Sequence, residues 1–146
     1  MWAGENCLAI ERTLAIIKPD AVGRGLAGEI LSRIHKAGFA IVAVKSVRLT
    51  KSEAEGFYAV HRERGFFGEL TDFMSSGKVV VLVLEAEGGI ARWRDTMGAT
   101  DPAKASPGSI RRDLGTSIGN NCTHGSDAPE TAAFETSYFF AGYELL

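Results

Sequence analysis

The chain has 146 residues, of which 45% are hydrophobic and 23% charged, and its formal net charge is −2. This composition is typical of one globular domain with enough mass for a core, and it excludes an intrinsically disordered chain. A net charge so close to zero provides no basic field that would attract nucleic acid or an anionic membrane.

The first third of the chain is predicted to alternate strands and helices. Residues 13–17 form a short apolar run before Lys18-Pro19-Asp20, which is typical of a buried strand that enters a polar turn. Residues 26–37 place apolar side chains on one face at helical spacing, and Gly38 is suited to end that helix. Residues 39–49 are rich in β-branched side chains and predict a second strand.

The next elements follow the same alternation. A capping-box pattern over residues 50–53 predicts a helix that begins near Lys51. A second short helix is predicted over residues 67–75. Residues 78–86 predict a central strand, because their apolar content is nearly continuous.

Residues 98–123 differ from the rest of the chain. They follow a predicted helix that carries Ile90, Trp93 and Met97 on one face and ends at Gly98. The segment holds four glycines, two prolines and little apolar periodicity. A connection of this length without clear elements is usually functional or disordered.

Basic side chains gather in the sequence ahead of His124. Arg94 precedes the long segment, and Arg111 and Arg112 lie within it. Taken singly, each arginine would be an ordinary solvated surface charge. Together with hydroxyl side chains and a helix N-terminus, such a group suits a polyphosphate, because guanidinium binds phosphate oxygens bidentately.

His124 lies within the turn-forming stretch NNCTHGSD, residues 120–127. Asp127 and Glu130 have the spacing of a capping box, so a helix is expected to begin just after the histidine. A helix N-terminus favours anions, so His124 is a candidate phosphate ligand, general base or nucleophile. The alternative is an exposed loop histidine without a function.

Other classes of site and location lack support. His35, His61 and His124 have no His or Cys neighbours at metal-ligand spacing, and the sequence has neither a P-loop nor a dinucleotide-binding motif. Two cysteines, Cys7 and Cys122, are too few for a disulfide framework, and free thiols suit a reducing compartment. The N-terminus lacks the features of a signal peptide. The longest apolar run, residues 79–84, is too short to cross a bilayer. We therefore expect a cytoplasmic protein.

Four stretches, in order, resemble the nucleoside diphosphate kinase family: ERTLAIIKPDAV, FYAVHRERGFF, MGATDPAKASPGSIR and NNCTHGSD. The resemblance runs from about residue 11 to residue 140 and implies a single domain over residues 1–146, with residues 1–10 as a short N-terminal extension. The implied fold is α+β, an α/β sandwich with a ferredoxin-like βαββαβ core, whose four-stranded antiparallel sheet is covered by helices. The implied reaction transfers the γ-phosphate of a nucleoside triphosphate such as ATP to a nucleoside diphosphate by a ping-pong mechanism.

The resemblance also implies three catalytic residues. His124 matches the histidine that becomes phosphorylated, and a neutral imidazole is nucleophilic near pH 7 because its unperturbed pKa is about 6.5. Glu135 matches the acidic partner that orients the ring. Lys18 matches the lysine that bonds the ribose and the transferred phosphate. Without that context, Glu135 and Lys18 would be ordinary helix and turn residues.

The nucleotide-binding residues are implied in the same way. Asn121 matches the residue that bonds the sugar 3′-hydroxyl, and Phe66 and Ile118 match the apolar walls on either side of the base. Taken singly, Phe66 and Ile118 would be core residues. The positions that hold the diphosphate are matched by four residues: Tyr58, Arg94, Thr100 and Arg111.

The cofactor and partners follow from this match. Mg²⁺ is expected to arrive on the nucleotide phosphates, with no metal site built from protein ligands alone. Ser126 and Asp127 are expected to support the histidine turn and the helix cap. The chain is expected to form a homo-oligomer, a tetramer or hexamer built from dimers, in which a neighbouring subunit steadies the loop over residues 100–115.

The chain departs from the family pattern at three positions. Gly65 and Lys78 stand where proline is common, and Asp101 replaces a usual asparagine. None of them is a position that contacts phosphate, so activity is still expected. Two other functions stay open from the sequence: a histidine phosphocarrier, and a nucleotide-binding regulatory module without catalysis.

Overall fold

A four-stranded antiparallel sheet forms the centre of the computed structural model, which describes residues 8–146. Its strands are β1 (Ile10–Ile17), β2 (Ala40–Arg48), β3 (Lys78–Glu87) and β4 (Thr123–Gly125), in the spatial order β2-β3-β1-β4. β1 pairs with β3 along its whole length and with β4 through its second half. The antiparallel sheet expected from the family resemblance is therefore confirmed.

Helices cover both faces of this sheet. The helices are α1 (Pro19–Gly23), α2 (Ala27–Lys36), α3 (Lys51–Phe57), α4 (Phe67–Met74), α5 (Gly89–Met97), α6 (Ile110–Leu114) and α7 (Pro129–Phe139). Short 3₁₀ helices span Ala59–His61, Pro102–Lys104 and Gly142–Leu145. Side chains of α2 and α5 enter the core on one face, and those of α3 and α4 enter the core on the other.

The alternation of side chains along β1 explains how one strand serves two cores. Leu14 and Ile16 point into the core beneath α3 and α4, whereas Ala15 and Ile17 point into the core beneath α2 and α5. All four are fully buried. Successive side chains of a strand point to opposite faces, so an apolar run without polar interruption needs cover on both sides.

Local signals in the sequence placed most element boundaries correctly. The Thr50 hydroxyl accepts a hydrogen bond from the Glu53 amide at 3.1 Å, and the Glu53 carboxylate accepts one from the Thr50 amide at 2.7 Å, so the capping box is confirmed. Gly38 and Gly98 follow α2 and α5 with φ of +87° and +86°. This left-handed conformation favours glycine, as the helix ends require.

Two segments were predicted without helices and contain them. Pro19 begins α1 directly after β1, because proline is well tolerated at the first position of a helix. Within residues 98–123, the Asp101 side chain accepts from the Ala103 amide, and the Ser109 side chain caps α6. Elements of three and five residues are too short for helical periodicity to reveal them.

The predicted capping box at Asp127 is wrong. Ala128 precedes the first turn of α7, and the Thr131 hydroxyl accepts from the amides of Asp127 and Ala128 at 3.1 and 3.0 Å. The Asp127 carboxylate pairs instead with Arg94. His124 was also placed in a turn, but it lies in the middle of β4 and pairs with Ile16 of β1. A three-residue strand owes its formation to this distant partner, which local sequence does not reveal.

The described part of the chain, residues 8–146, has no helix long and apolar enough to span a membrane. The expected N-terminal extension lies mostly outside these residues, and its last residue, Ile10, opens β1.

Candidate active site

The imidazole ring of His124 is hydrogen-bonded to the carboxylate of Glu135. The distance between His124 Nε2 and Glu135 Oε1 is 2.6 Å. The Ser126 hydroxyl donates to the same oxygen at 3.0 Å and accepts from the amide of Leu14 at 3.2 Å. Because a carboxylate only accepts, Nε2 carries the ring proton, and the lone pair of the neutral ring is on Nδ1.

The exposed side of the histidine faces a cleft. His124 is among the residues that line a cleft of about 650 Å³. Nδ1 has no hydrogen-bond partner among residues 8–146, so its lone pair is available to a bound molecule. The Trp93 indole N–H donates to the His124 carbonyl at 3.2 Å, which fixes the backbone at the same point. The ring is thus oriented on one side and open on the other.

Lys18 and Asn121 form a linked pair on the wall of the cleft. Lys18 Nζ donates to Asn121 Oδ1 at 2.8 Å, and Asn121 Nδ2 donates to the Thr100 carbonyl at 3.0 Å. Burial lowers the pKa of Lys18 to about 8; nearby Asp20 opposes this shift, and Arg111 adds to it. A buried ammonium with few neutralising partners is well suited to attract an anionic ligand.

Arg111 and Arg94 provide the other cationic groups of the cleft. Arg111 donates through its two terminal nitrogens to the carbonyls of Gly98 and Thr123 at 3.0 and 2.8 Å. Its Nε is buried and lacks a hydrogen-bond partner among the described residues. Burial, with nearby Arg94, lowers the pKa of Arg111 to about 10, so the side chain is still charged near pH 7.

The aromatic and apolar residues of the site differ in exposure. Tyr58 is buried where α3 ends, and burial, with a contribution from Glu135, raises the pKa of its hydroxyl. Phe66 and Ile118 also line the cleft, although 50% and 60% of their surfaces are exposed. Large apolar side chains left open beside a cleft are suited to contact a flat apolar ligand.

The structure brings the residues expected from the sequence together. Nine of them line this one cleft: Lys18, Tyr58, Phe66, Arg94, Thr100, Arg111, Ile118, Asn121 and His124. The tenth, Glu135, lies directly behind His124. These residues come from strands, helices and loops spread over most of the chain.

Other cleft residues were not identified from the sequence. His61 lines the cleft, with its ring centroid 5.6 Å from that of Phe66 and 6.4 Å from that of Tyr58. Its position three residues after Tyr58, on the next turn, was the available signal. Glu69 and Asn120 line the cleft as well. The sequence carries no local signal for Glu69, which resembles any other charged residue of a solvated helix.

Comparison with known proteins places these features in context. The family model described as nucleoside diphosphate kinase matches residues 11–145. The nucleoside diphosphate kinase of Desulfotalea psychrophila is 61% identical over 137 residues, which are 94% of this chain and all of that protein. The enzyme of the same name from Bradyrhizobium sp. (strain ORS 278) is 61% identical over 139 residues, covering 95% of this chain and 99% of that protein.

Solved structures of nucleoside diphosphate kinases are also similar to this chain. The crystal structure of Aquifex aeolicus nucleoside diphosphate kinase superposes with a TM-score of 0.92 at 50% identity, covering 94% of this chain and 100% of that one. The Halobacterium salinarum nucleoside diphosphate kinase, solved in complex with CDP, superposes with a TM-score of 0.90 at 38% identity, covering 94% and 92%.

Proposed function

Because the chain belongs to the nucleoside diphosphate kinase family, and is an enzyme that transfers phosphate between nucleotides, we propose that the phosphoryl group passes through His124. The observation that carries this proposal is the 2.6 Å contact of Nε2 with Glu135, which leaves Nδ1 free toward the cleft. The nucleotide sites of the two half-reactions are then one and the same cleft.

The proposed chemistry consists of two displacements at phosphorus. In the first, the Nδ1 lone pair attacks the γ-phosphorus of a nucleoside triphosphate such as ATP. The bond to the bridging oxygen breaks, and its electron pair leaves with the nucleoside diphosphate. In the second, a terminal oxygen of an incoming nucleoside diphosphate attacks the phosphohistidine, and the N–P bond breaks. A covalent intermediate divides the transfer into two similar steps.

We assign the neighbouring groups by their chemistry. The Lys18 ammonium follows negative charge as it develops on the transferred phosphate, and Asn121 bonds the 3′-hydroxyl with an amide that both donates and accepts. Glu135 keeps the proton on Nε2 and stabilises positive charge on the ring. The diphosphate is held by donors that surround it in the cleft: Tyr58, Arg94, Thr100 and Arg111.

The base is proposed to lie between Phe66 and Ile118. Stacking on a phenylalanine ring does not depend on base identity, because every base has a π-face. The exposure of both side chains supports this assignment, since a ligand that covered them would remove apolar surface from water. The cleft would then bind purine and pyrimidine nucleotides alike.

Mg²⁺ is proposed to enter with the nucleotide. The carboxylates that line the cleft are Glu69 and Asp127, and Asp127 is already paired with Arg94. The rest of the polar lining carries ammonium, guanidinium, amide, hydroxyl and imidazole groups, which can donate hydrogen bonds to phosphate oxygens. The ion would therefore be held chiefly by phosphate oxygens and water, and it would neutralise charge on the phosphates.

The assembly and location are proposals too. β2 forms an outer edge of the sheet, and Val44 on that strand is 51% exposed. An uncovered strand edge pairs readily with another chain, so we propose a homo-oligomer, a tetramer or hexamer built from dimers. The buried free thiol of Cys122 is compatible with the proposed location in a reducing cytoplasm.

Labelled ATP tests the central proposal. Incubation of the chain with ATP labelled at the γ-phosphate should give a labelled protein whose label is lost in acid and kept in base, as expected of phosphohistidine. His124→Ala should remove the label and the transfer activity while nucleotide binding persists. Substantial turnover by the purified variant would contradict the covalent route. A phosphocarrier without a nucleotide site would not be labelled by ATP at all.

A further inference from the structure

Helices α3 and α7 are joined by a single hydrogen bond beside a glycine. The Tyr138 hydroxyl on α7 donates to the Glu53 carbonyl on α3 at 2.7 Å. Gly56 lies opposite this hydroxyl, and a Cβ atom at position 56 would be only 2.5 Å from it. The absence of a side chain at position 56 is therefore what allows Tyr138 to reach the α3 backbone.

Glycine at this position is unfavourable for the helix itself. It lies inside α3, which spans Lys51–Phe57, and its φ is not in the left-handed region that requires glycine. Alanine is the better residue in a helix interior. The contact with Tyr138 is the structural reason to have glycine here.

The two joined helices carry different parts of the cleft. Lys51 on α3 donates to the Thr71 hydroxyl and the Asp72 carboxylate on α4 at 2.7 and 2.6 Å, so α3 and α4 form one hairpin. The segment between these helices carries the cleft residues Tyr58, His61 and Phe66. This hairpin is the side of the cleft assigned above to the base and diphosphate.

Helix α7 carries the group that orients the histidine. Glu135 lies three residues before Tyr138, one turn away on the same helix, and contacts His124. The Phe57 ring completes the junction, with its centroid 5.4 Å from that of His124 and 5.7 Å from that of Tyr138. The hydrogen bond from Tyr138 to Glu53 thus connects the α3–α4 hairpin, which would contact the nucleotide, with helix α7, which orients His124.

We propose that Tyr138 is a positioning residue, whose hydroxyl anchors the α3–α4 hairpin to α7. This hydrogen bond fixes the nucleotide-binding residues of the hairpin relative to His124, and it requires the space that glycine leaves at position 56. This inference rests on the proposed function, since it takes the cleft as the nucleotide site. Burial and nearby Glu53 raise the pKa of the Tyr138 hydroxyl, so it remains a donor at the pH of the reaction.

Tyr138→Phe tests the proposal by removing only the hydroxyl. The ring, with its contacts to Phe57 and Phe139, is retained. We expect KM for nucleoside diphosphates to rise about three- to tenfold, the worth of one ordinary hydrogen bond, with kcat nearly unchanged. The matched control is Tyr143→Phe, which removes a hydroxyl from a 79% exposed ring outside the cleft and should leave KM unchanged.

A small phosphoryl donor distinguishes an effect on nucleotide binding by the hairpin from an effect on the reactivity of the histidine. Phosphoramidate has neither base nor sugar, so its phosphorylation of His124 should proceed at the same rate in Tyr138→Phe and in the unchanged protein. An equal loss with phosphoramidate and with nucleotide would place the effect at the histidine and overturn the proposal. A lower Tm with unchanged KM would also overturn it, because the contact would then be structural only.

Gly56→Ala and Tyr138→Phe, made singly and together, form a double-mutant cycle. Alone, Gly56→Ala should raise KM, because the new methyl group displaces the Tyr138 hydroxyl. In the Tyr138→Phe background the nearest ring atom is 3.4 Å from that Cβ, so the substitution should add no further rise in KM. Additive effects would contradict a shared contact. Failure of ATP to label the unchanged protein would instead refute the proposed function, so the two failures are distinguishable.

Discussion

At the scale of a single residue, the charge of Lys18 predicts a pH dependence of activity. Burial lowers its pKa to about 8, so the ammonium is charged below that pH and neutral above it. Since kcat/KM reports groups of the free enzyme, we expect it to fall as pH rises through about 8. Lys18→Arg keeps its charge to higher pH and should lose this step even if its overall activity is lower. A flat profile for the unchanged protein between pH 7 and 9 would contradict the assignment.

The sugar and base contacts predict a second residue-scale result. Because the base is proposed to lie between two apolar side chains, Phe66 and Ile118, kinetic constants for purine and pyrimidine diphosphates should agree within about two orders of magnitude. A 2′-deoxy sugar should be accepted, whereas a 3′-deoxy sugar should react poorly, since Asn121 and Lys18 would lose their partner. Steady-state kinetics with the four substrate types would decide this. Equal rates for the 3′-deoxy and parent diphosphates would show that these two residues have another role.

How much of the site was predictable depends on the residue considered. His124 and Lys18 are found by motif, because the stretches around them are specific. The contact between Lys18 and Asn121 is not found that way, since the two residues are 103 positions apart in sequence and only the fold brings them to within 2.8 Å. Glu69 has neither motif nor local signal, and only the fold reveals that it lines the cleft.

At the scale of elements, the strand that carries His124 is positioned by its packing on α5. Gly125 follows the histidine in β4, and a Cβ atom there would lie 2.5 Å from Trp93 Cδ1 and 2.6 Å from Met97 Cε. Glycine therefore permits the close approach of strand and helix. Local sequence predicts a turn at this glycine and not close packing, because its packing partners on α5 are distant in sequence.

Gly125→Ala should consequently damage both stability and activity. We expect the free energy of unfolding to fall by about 1–3 kcal/mol, the usual cost of forcing extra volume into a packed core. Activity should fall as well, because the added methyl group displaces the strand next to His124. The matched control is Gly28→Ala in α2, where the new methyl group meets open space and should raise stability by about 0.5–1 kcal/mol. Denaturant unfolding of both variants provides the comparison.

The long segment before His124 shows where element prediction failed and why. Sequence periodicity gave no element there, yet the segment contains α6 and is tied to α2 by Arg33, which bonds Asp113 at 2.8 Å. Arg24 also donates to the Leu114 carbonyl at 2.6 Å. Such ties involve polar side chains and backbone carbonyls, which leave no pattern of apolar spacing. Helices α2 and α5, by contrast, were predicted because they bury an apolar face.

At the scale of the whole molecule, the outer edge of β2 predicts self-association. Light scattering should give a mass several times the 15.6 kDa of one chain, with dissociation on dilution. Val44→Lys should shift that dissociation to higher protein concentration, because a lysine on an exposed edge opposes strand pairing. A stable and fully active monomer of 15.6 kDa would end the proposal.

The position of Trp93 makes the fluorescence of the protein a candidate signal for phosphorylation of His124. Trp93 is fully buried, and its N–H donates to the carbonyl of the residue proposed to carry the phosphate. The only other tryptophan of the chain is Trp2, so Trp2→Phe would leave Trp93, beside the histidine, as the single tryptophan. Addition of ATP to that variant should change its fluorescence as a phosphoryl group enters the site, and the same variant with His124→Ala should lack the part of the change that persists after the nucleotide is removed. Phosphorylation and dephosphorylation of the protein would then be observable in real time, without a label or a coupled enzyme.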